Sequence, residues 1–545
     1  MRGVAAEAPL DDAIYPNGVT TAYTYDNLNR LTNLAATKTS TSTPITNFGY
    51  QYDAAGNRTQ KSTLDFTEDY GYDPLYRLTR SERTPSPAVI ASGGPLAVPR
   101  SNLWTYDAVG NRLSNQDNES VTTSTHNEKN QLLNSTGGGK MLWRGTLDEP
   151  GIATFSAPTI NGQPARMLAG NVFEATLDLP AGANNVTIQA QDGSGNVATK
   201  VYSVNVIGVP SSYTYDANGN LAAKTEGADS WTYTWNALNQ LTAVTKNAVS
   251  QATYSYDPMG RRVERLAGVT GTVWTYDQED LLREGAAAAA VVTTTRFIHG
   301  PAIDEPMAQE NASTAAVTYL HADALGSITR QTDAAGSAGG AITYDPWGKI
   351  QSGVPTLHAF TAREWDPAVQ MHFYRARWYD QAQGRFASED PVRFAAGVNF
   401  YTYTIGNPVR YEDPFGLDIN VCFYADAAAR AGHVGYGLPG EAGTEGFYSK
   451  RGVPFGDGAI KPDEQKEKTC KVIPAKPWQD DCMRSCRERR AKTPGKYNIL
   501  SRQCTGFVRE CLLECNLPSG DPYLIPPKDY FDTLPPPPPA PSKGK

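Results

Sequence analysis

The stretch Tyr213-Thr-Tyr-Asp216 returns as Tyr233-Thr-Trp-Asn236, Tyr254-Ser-Tyr-Asp257 and Trp274-Thr-Tyr-Asp277, at a nearly constant spacing. Two aromatic residues separated by one position place both rings on the same face of a β-strand, because successive side chains alternate between faces. The Asp that follows is a residue that starts turns, and the next Gly or Asn tolerates a positive φ. The repeat therefore predicts a series of β-hairpins, each of which must stack on its neighbours to bury its aromatic face.

Four earlier copies of the repeat precede this stretch. They are Tyr23-Thr-Tyr-Asp26, Tyr50-Gln-Tyr-Asp53, Tyr70-Gly-Tyr-Asp73 and Trp104-Thr-Tyr-Asp107. Together the copies resemble the YD repeats of the Rhs/YD-repeat family. That resemblance implies a mainly β fold, in which a sheet of YD-repeat hairpins is coiled into a hollow cocoon. The alternative is a generic all-β surface protein with tyrosine-rich hairpins.

The chain divides into six segments. Short alternating strands and Gly-rich turns interrupt the repeats and predict an inserted immunoglobulin-like β-sandwich. The segments are YD repeats (1–136), the sandwich (137–208), further YD repeats (209–350), a core segment (351–417), a small α+β Cys-rich domain (418–517) and a Pro-rich tail (518–545). Composition changes after Leu417, because all seven cysteines follow it and the net charge goes from −11 to +3.

Charge and hydropathy argue against a disordered acidic chain and against a protein that spans a membrane. Charged residues make up 19% of the chain, and no run of about 18 apolar residues predicts a transmembrane segment. The segment 1–17 contains one basic residue and no apolar core, so it does not form a secretory signal. Because the repeats are already under way at Tyr23, we expect a short or truncated member of the family. Its export would need a dedicated secretion system, of type VI or similar.

The core segment carries a second motif. It reads Phe360-Thr-Ala-Arg-Glu-Trp-Asp366, Phe373-Tyr-Arg-Ala-Arg-Trp-Tyr-Asp380, Gly384-Arg-Phe386, Glu389-Asp-Pro391 and Asp413-Pro-Phe-Gly-Leu417. These residues resemble the Rhs-repeat-associated core domain, which also occurs in the C subunits of Tc toxins. The resemblance implies autoproteolysis after Leu417 by an aspartic-protease-like pair, Asp390 and Asp413, with Arg377 in support.

Carboxyl chemistry agrees with this assignment. Two neighbouring carboxyl groups do not ionise together easily, so one can hold a proton while the other activates water. The guanidinium of Arg377 would hold the charged partner in place. The alternative is purely structural, since Asp-Pro pairs start turns and Arg377 could simply pack on aromatic rings.

The Cys-rich domain contains two pairs of cysteines at helical spacing. Cys482 and Cys486 lie in 478–492, and Cys511 and Cys515 lie in 502–517. Both segments are predicted to be helical, so each pair shares a helix face. Disulfides Cys482–Cys515 and Cys486–Cys511 could join the helices, with Cys422–Cys470 as a third bridge. Spacing does not fix the connectivity, and zinc binding by the four helical cysteines is the alternative. We expect no cofactor.

Cys504 is the cysteine left over from this arrangement. Ser501 can cap a helix, which would put Cys504 in its first turn, where the helix dipole favours a thiolate. The Cys-rich domain has one histidine, His433. A thiol and an imidazole can serve as the nucleophile and base of a cysteine hydrolase. The alternative is a buried thiol and a histidine packed in the core.

The order of the motifs around these two residues is similar to that of the permuted NlpC/P60-like (papain-like) group. The resemblance implies a catalytic pair of Cys504 and His433 that acts on amide or ester bonds. A third member could be Tyr436, Glu445 or Asn498, which the sequence does not rank.

Together these resemblances predict an Rhs-type polymorphic toxin, with a self-cleaving cocoon that encloses a C-terminal effector. Disulfides persist in oxidising compartments, which favours delivery to a target-cell periplasm and a substrate such as peptidoglycan peptides. We expect a cognate immunity protein as a partner. Nucleic acid is not expected as a target, because a net charge of +3 without a basic stripe is a weak footprint. The alternative function is non-enzymatic adhesion at the cell surface, with glycans as ligands.

Overall fold

The computed structural model describes residues 12–147, 157–287, 292–301, 303–393 and 397–417, together with the backbone of six strands between residues 419 and 498. One antiparallel sheet of 25 strands dominates; 23 of them form two arms, and the other two, Arg166–Met167 and Val172–Pro180, belong to the inserted sandwich. Its first arm contains Ala13–Ile14, Val19–Tyr25, Leu31–Lys38, Thr43–Tyr52, Arg58–Ser62, Phe66–Tyr72, Leu78–Pro85, Arg100–Tyr106, Arg112–Asp117, Ser120–His126 and Leu132–Thr146. Its second arm contains Ser211–Tyr215, Leu221–Glu226, Asp229–Trp235, Leu241–Lys246, Val249–Tyr256, Arg262–Ala267, Thr270–Asp277, Asp280–Ala286, Val292–His299, Pro306–Asn311, Val317–Ala322 and Ile328–Thr332.

Each repeat forms a hairpin, and in seven of the eight the turn is built by the Asp, or by Asn236 in its place; after Asp277 the hairpin closes in a two-residue turn. At Asp53 the carboxylate accepts the N–H of Asn57 at 2.8 Å, while the carbonyl accepts the N–H of Gly56 at 3.1 Å. Gly56 has φ +80°, and Asn29 takes the same position in another turn with φ +56°. The strand pairing shifts by one position beside the turn, so that each hairpin contains a bulge. The predicted hairpin repeat is therefore confirmed.

A hydrogen bond that we call the hydroxyl pin joins successive hairpins. The hydroxyl of Tyr52, the second aromatic of its repeat, donates to the carbonyl of Leu31 in the preceding hairpin at 2.6 Å. The same bond recurs as Tyr72–Arg58, Tyr106–Leu78, Tyr256–Leu241, Tyr276–Arg262 and Tyr344–Ile328, and as Trp235–Leu221 through the indole N–H. The pins satisfy carbonyls beside the bulges, so each repeat fixes its position on the one before it.

The two ends of the sheet meet. The hydroxyl of Tyr15 donates to the carbonyl of Leu320 at 3.3 Å, and its ring packs edge-on against Tyr319. The amide nitrogen of Asn17 donates to the hydroxyl of Thr332 at 2.9 Å. The first and last strands are thus joined through side chains, and the sheet coils into the cocoon that the family resemblance implied.

A β-sandwich is inserted between the two arms. Strand Leu132–Thr146 belongs to both structures, because its first half pairs with repeat strands and its second half pairs with Val172–Pro180. Gly138 lies at the change of partner with φ +91°, where a Cβ would lie 2.8 Å from the nitrogen of Ala181. The other strands of the sandwich are Thr159–Ile160, Gln163–Pro164, Arg166–Met167, Gly182–Gln191 and Val197–Val206. The predicted inserted sandwich is confirmed as part of the fold.

The core segment packs against the aromatic face of both arms. A short hairpin of Thr343–Tyr344 and Ile350–Ser352 leads into it, and its own strands are Glu364–Asp366, Met371–Tyr374, Arg377–Asp380 and Arg385–Phe386. Trp378 packs with Tyr254 of the second arm at 5.0 Å between ring centroids, and the buried cluster around Tyr379 includes Tyr70 and Trp104 of the first arm. The coiled sheet therefore wraps around the core segment.

A buried charge cluster fixes this packing. Arg262 of the second arm is fully buried and pairs with Glu364 at 2.7 Å and with Asp366 at 2.8 Å. The hydroxyl of Tyr254 also donates to Asp366 at 3.0 Å. Buried charges of this kind are tolerated only when they are paired, so the cluster holds one position of the core segment on the sheet.

Helical elements are few in the described part of the chain. The α-helix is Pro87–Ser92, and the 3₁₀ helices include Pro95–Ala97, Ala169–Asn171, Phe360–Ala362 and Thr404–Gly406. The Cys-rich domain contributes one antiparallel sheet in the order Thr469–Ile473, Ile419–Tyr424, His433–Gly437, Glu445–Ser449, Phe455–Pro462 and Lys496–Asn498. The helices predicted over 478–492 and 502–517 lie outside the described residues.

Candidate functional site

Arg377 is the centre of the candidate cleavage site. It begins strand Arg377–Asp380, is 2% exposed, and its guanidinium lies 3.6 Å from the centroid of the Phe386 ring. Its Nη2 lies 2.8 Å from Oδ2 of Asp390 and 3.2 Å from Oδ2 of Asp413. One guanidinium nitrogen therefore brings together the two predicted carboxylates, which belong to separate parts of the core motif.

The loop that follows Asp413 folds back over its own carboxylate. Oδ1 of Asp413 accepts the N–H of Leu417 at 3.1 Å, and its carbonyl accepts the N–H of Gly416 at 3.3 Å. Gly416 has φ +69°, and an added Cβ would lie 3.1 Å from the carbonyl oxygen of Tyr374. Leu417 is 1% exposed and packs with Val392. The tight turn thus places the residue before the predicted cleavage point directly on Asp413.

Asp390 is held from the opposite side. Its backbone N–H donates to the carbonyl of Phe400 at 2.9 Å, and its Oδ1 accepts the N–H of Val392 at 2.9 Å. Nη1 of Arg377 donates to the same carbonyl of Phe400 at 3.1 Å. Asp390 is 2% exposed. Its carboxylate therefore has a fixed orientation toward Arg377.

Burial changes the acidity of the site. Removal from water raises the pKa of Asp413 above its usual value, and the positive charge of Arg377 opposes this only in part. A buried carboxyl group with a raised pKa beside a second carboxylate is an arrangement that can supply the acid and the base for chemistry on an amide bond. The structure thus brings together Arg377, Asp390, Asp413 and Leu417, the four residues that the sequence motif singled out.

Sequence reasoning did not identify two further residues near the loop. Arg375 lies inside the quoted motif without an assigned role, and it donates to the carbonyl of Pro414. Asp304 lies in a loop of the second arm without any repeat signal, and it binds Arg375. Only the position of Arg375 in the turn directly before strand Arg377–Asp380 could have suggested the first. Nothing local in the sequence points to the second.

The second predicted site lies in the Cys-rich domain. His433 begins a strand and pairs in register with Tyr424, and the next strand pair places Tyr436 opposite Glu445. The register also places Cys422 opposite Cys470. Asn498 ends the strand Lys496–Asn498. The other cysteines, which are Cys482, Cys486, Cys504, Cys511 and Cys515, lie outside the described residues.

The described residues contain neither a cluster of metal ligands nor a membrane-spanning helix. Among the side chains that the structure describes, no group of three or more His, Cys, Asp or Glu could hold a metal ion. No helix in that part of the chain is long and apolar enough to cross a membrane.

The pinned hairpins, the coiled sheet and the enclosed core segment define a YD-repeat shell. Residues 200–409 match the family model described as Teneurin YD-shell. The chain is similar to "Double-stranded DNA deaminase toxin A" of Burkholderia cenocepacia, with 28% identity over 239 residues that cover 38% of this chain and 17% of that protein.

Two further relatives carry nuclease names. One is "tRNA3(Ser)-specific nuclease WapA" of Bacillus spizizenii, 28% identical over 283 residues, which are 48% of this chain and 12% of that protein. The other is "Probable deoxyribonuclease RhsA" of Dickeya dadantii, 27% identical over 224 residues, which are 38% of this chain and 15% of that protein. The chain spans less than a fifth of the length of these relatives. Together with the hairpin geometry, the matches support an Rhs/YD-repeat protein.

Proposed function

We propose that this chain is a polymorphic toxin whose YD-repeat shell cuts its own backbone after Leu417 and so releases the segment 418–545 as an effector. The observation that carries the proposal is the position of the Leu417 N–H, 3.1 Å from the Asp413 carboxylate, which shares Arg377 with Asp390. The names of two relatives, a deaminase toxin and a tRNA nuclease, favour an enzymatic effector.

The cleavage step uses the two carboxyl groups in different protonation states. Asp390, held by Arg377, takes a proton from a water molecule as the water oxygen bonds to the carbonyl carbon of Leu417. Asp413, whose pKa is raised by burial, donates its proton to the carbonyl oxygen. The tetrahedral intermediate then breaks its C–N bond, and the nitrogen of Asp418 leaves as an amine after taking a proton from Asp390. As the C–N bond breaks, Asp413 takes its proton back from a hydroxyl of the intermediate. The products are a carboxylic acid on Leu417, which ionises in water, and a new N-terminus at Asp418.

Cleavage is tested by expressing the full chain and analysing it by denaturing gel and intact mass. We expect two pieces, 1–417 and 418–545, which remain associated until denaturation. Asp413→Asn should leave one intact chain, because the variant removes the proton donor. Asp380→Asn is the matched control, since Asp380 is also buried and burial also raises its pKa, but its carboxylate binds Ala382 and Gln383.

A wild-type chain that stays intact would contradict the proposed cleavage. So would an Asp413→Asn chain that is cut as fast as wild type, because the acid would then be another group. If Asp380→Asn blocked the cut as well, general damage to the core segment would explain both results, and the assignment of Asp413 would be lost.

For the effector we propose a cysteine hydrolase with Cys504 as nucleophile and His433 as base, acting on amide bonds of the bacterial envelope such as peptidoglycan peptides. The position of His433 at the start of a strand in an antiparallel sheet supports this proposal. The register of Cys422 opposite Cys470 is compatible with a cross-strand disulfide, which would suit an oxidising compartment. Delivery by a dedicated secretion system and a cognate immunity protein belong to the same proposal.

A second effector chemistry is tested beside the hydrolase, because the relatives above are named as nucleases and a DNA deaminase. The full chain is directed either to the periplasm or to the cytoplasm of a test bacterium, with Cys504→Ala as the paired variant. Growth arrest only in the periplasm and only with Cys504 intact supports the hydrolase. Arrest in the cytoplasm, with damaged nucleic acid and no effect of Cys504→Ala, supports the chemistry of the relatives.

A further inference from the structure

A second arginine of the core segment holds the loop before the proposed cleavage point. Arg375 donates to the carbonyl of Pro414, and its guanidinium lies 5.1 Å from the centroid of the Phe415 ring. The N–H of Ala376 donates to the carbonyl of Phe415 at 3.3 Å. Arg375 thus holds the loop by a backbone carbonyl, and Arg377 holds it by the side chain of Asp413.

The guanidinium of Arg375 is itself positioned by the repeat sheet. Asp304, in the loop between strands Val292–His299 and Pro306–Asn311, accepts from Arg375 at 2.8 and 3.0 Å. Nε of Arg375 also lies 3.3 Å from Glu279, in the turn of another hairpin. Asp304 has φ +57°, a conformation that non-glycine residues rarely adopt. The repeat sheet therefore contributes a carboxylate to the support of the cleavage loop.

Asp304 also binds a second residue of the core segment. The guanidinium of Arg363 pairs with its Oδ1, and the same guanidinium donates to the carbonyl of Phe373 at 3.0 and 3.2 Å. The two arginines keep the pKa of Asp304 below its usual value, although burial opposes this, so the group is charged at neutral pH. Charge-assisted hydrogen bonds of this kind are shorter and stronger than neutral ones and fix geometry well.

We infer that Asp304 is a positioning residue for cleavage after Leu417, acting through Arg375 on the carbonyl of Pro414. This inference rests on the cleavage proposed above. Its consequence is that the site is complete only when the strands on either side of residues 300–305 have joined the sheet and enclosed the core segment. Self-cleavage is thereby coupled to closure of the shell.

The test follows cleavage during synthesis, because a fast cut would be complete before purification. The full chain is labelled in a pulse of cell-free translation, and the released piece 418–545 is quantified over time on gels. We expect Asp304→Asn to slow the cut by about 10- to 100-fold, since small misplacements of reacting groups cost rates of that order. Asp304→Glu, which keeps the charge, should restore most of the rate.

Glu68→Gln is the matched control for a general loss of shell stability. Glu68 is a buried carboxylate of the first arm whose partners Arg83, Tyr70 and Ser81 all belong to that arm. Thermal melting is measured for every variant in an Asp413→Asn background, so that all chains are intact. The inference predicts slow cleavage for Asp304→Asn at a melting temperature no lower than that of Glu68→Gln.

The outcomes separate the two proposals. A wild-type chain that never yields the piece contradicts the cleavage itself and this inference with it. A wild type that cuts while Asp304→Asn cuts at the same rate overturns the positioning role alone. Equal slowing by Asp304→Asn and Glu68→Gln, or no rescue by Asp304→Glu, also overturns it, because shell stability would then account for the effect.

Discussion

Acidification should destabilise the core segment through His372, and the size of the effect follows from its surroundings. His372 is fully buried, with ring centroids 4.9 Å from Trp365 and 6.1 Å from Phe360. Burial in this aromatic cluster lowers the pKa of His372 to about 3; Gln381 opposes the shift and Arg363 adds to it. The folded protein therefore keeps this ring neutral at pH values where the unfolded chain is protonated.

The sign and size of the effect come from linkage. Since the folded pKa lies below the unfolded value of 6.5, the stability is fully present above pH 6.5 and is lost as the pH falls. Between pH 7 and pH 5 the loss amounts to about 2 kcal/mol for this one histidine. His372→Phe keeps an aromatic ring but removes the titrating group. The variant should gain about 2 kcal/mol on the wild type when the pH is lowered from 7 to 5.

The measurement is unfolding by guanidinium chloride at both pH values, monitored by tryptophan fluorescence. All variants carry Asp413→Asn, so that one species is present. Phe360→Leu is the control, because it disturbs the same cluster without removing a titrating group; its loss of stability should be the same at both pH values. A difference between His372→Phe and wild type that does not change with pH would refute the reasoning. So would a gain of the same size in Phe360→Leu.

Two further changes test the charges of the core segment and the shell. Arg262→Met should lower the free energy of unfolding by about 3–5 kcal/mol, because it leaves Glu364 and Asp366 buried without their shared partner. The triple variant that adds Glu364→Gln and Asp366→Asn should recover most of the loss. An Arg262→Met variant as stable as wild type would show that the cluster does not anchor the core segment. Burial raises the pKa of Asp345 to about 6, so its charge costs stability as the pH rises from 4 to 6. Asp345→Asn should therefore raise the free energy of unfolding at pH 8 by about 3 kcal/mol and leave it unchanged at pH 4. Equal stabilities of variant and wild type at pH 8 would contradict the raised pKa.

The hairpin repeat could be predicted because its information is local. An Asp, a Gly or Asn three positions later, and aromatic residues before the turn are all within one short stretch. Turns of the same kind at Asn127, Asp323 and Asp333 escaped, because the residue before each is His, Ala or Thr rather than Tyr or Trp. The spacing from Asp or Asn to the residue with positive φ, three positions on, would have found them.

The candidate cleavage site also contains residues that could be predicted from the sequence and one that could not. Arg377, Asp390 and Asp413 were recognisable because a motif of the core segment contains all three. Asp304 was not, since 71 positions separate it from Arg375 and only the coiling of the sheet brings them together. The closing contact of Asn17 with Thr332 depends on the same coiling, over 315 positions. Local patterns specify the hairpins, whereas the curvature of the assembled sheet decides which distant residues meet.

The hydroxyl pin limits how such a shell can change its length. A single residue inserted in the chain between Tyr52 and the turn of the following repeat would move the aromatic residue of that repeat away from the carbonyl that its hydroxyl binds. A whole added hairpin would instead bring its own aromatic residue and its own carbonyl. Among the hairpins that the structure describes, the opposite ends carry no pins, and there the connections range from the short turn between Asp117 and Ser120 to the long one that separates Pro85 from Arg100. We therefore expect natural variants to keep the length of the turns at the pinned ends and to gain or lose complete hairpins. Insertions should accumulate in the connections at the opposite ends.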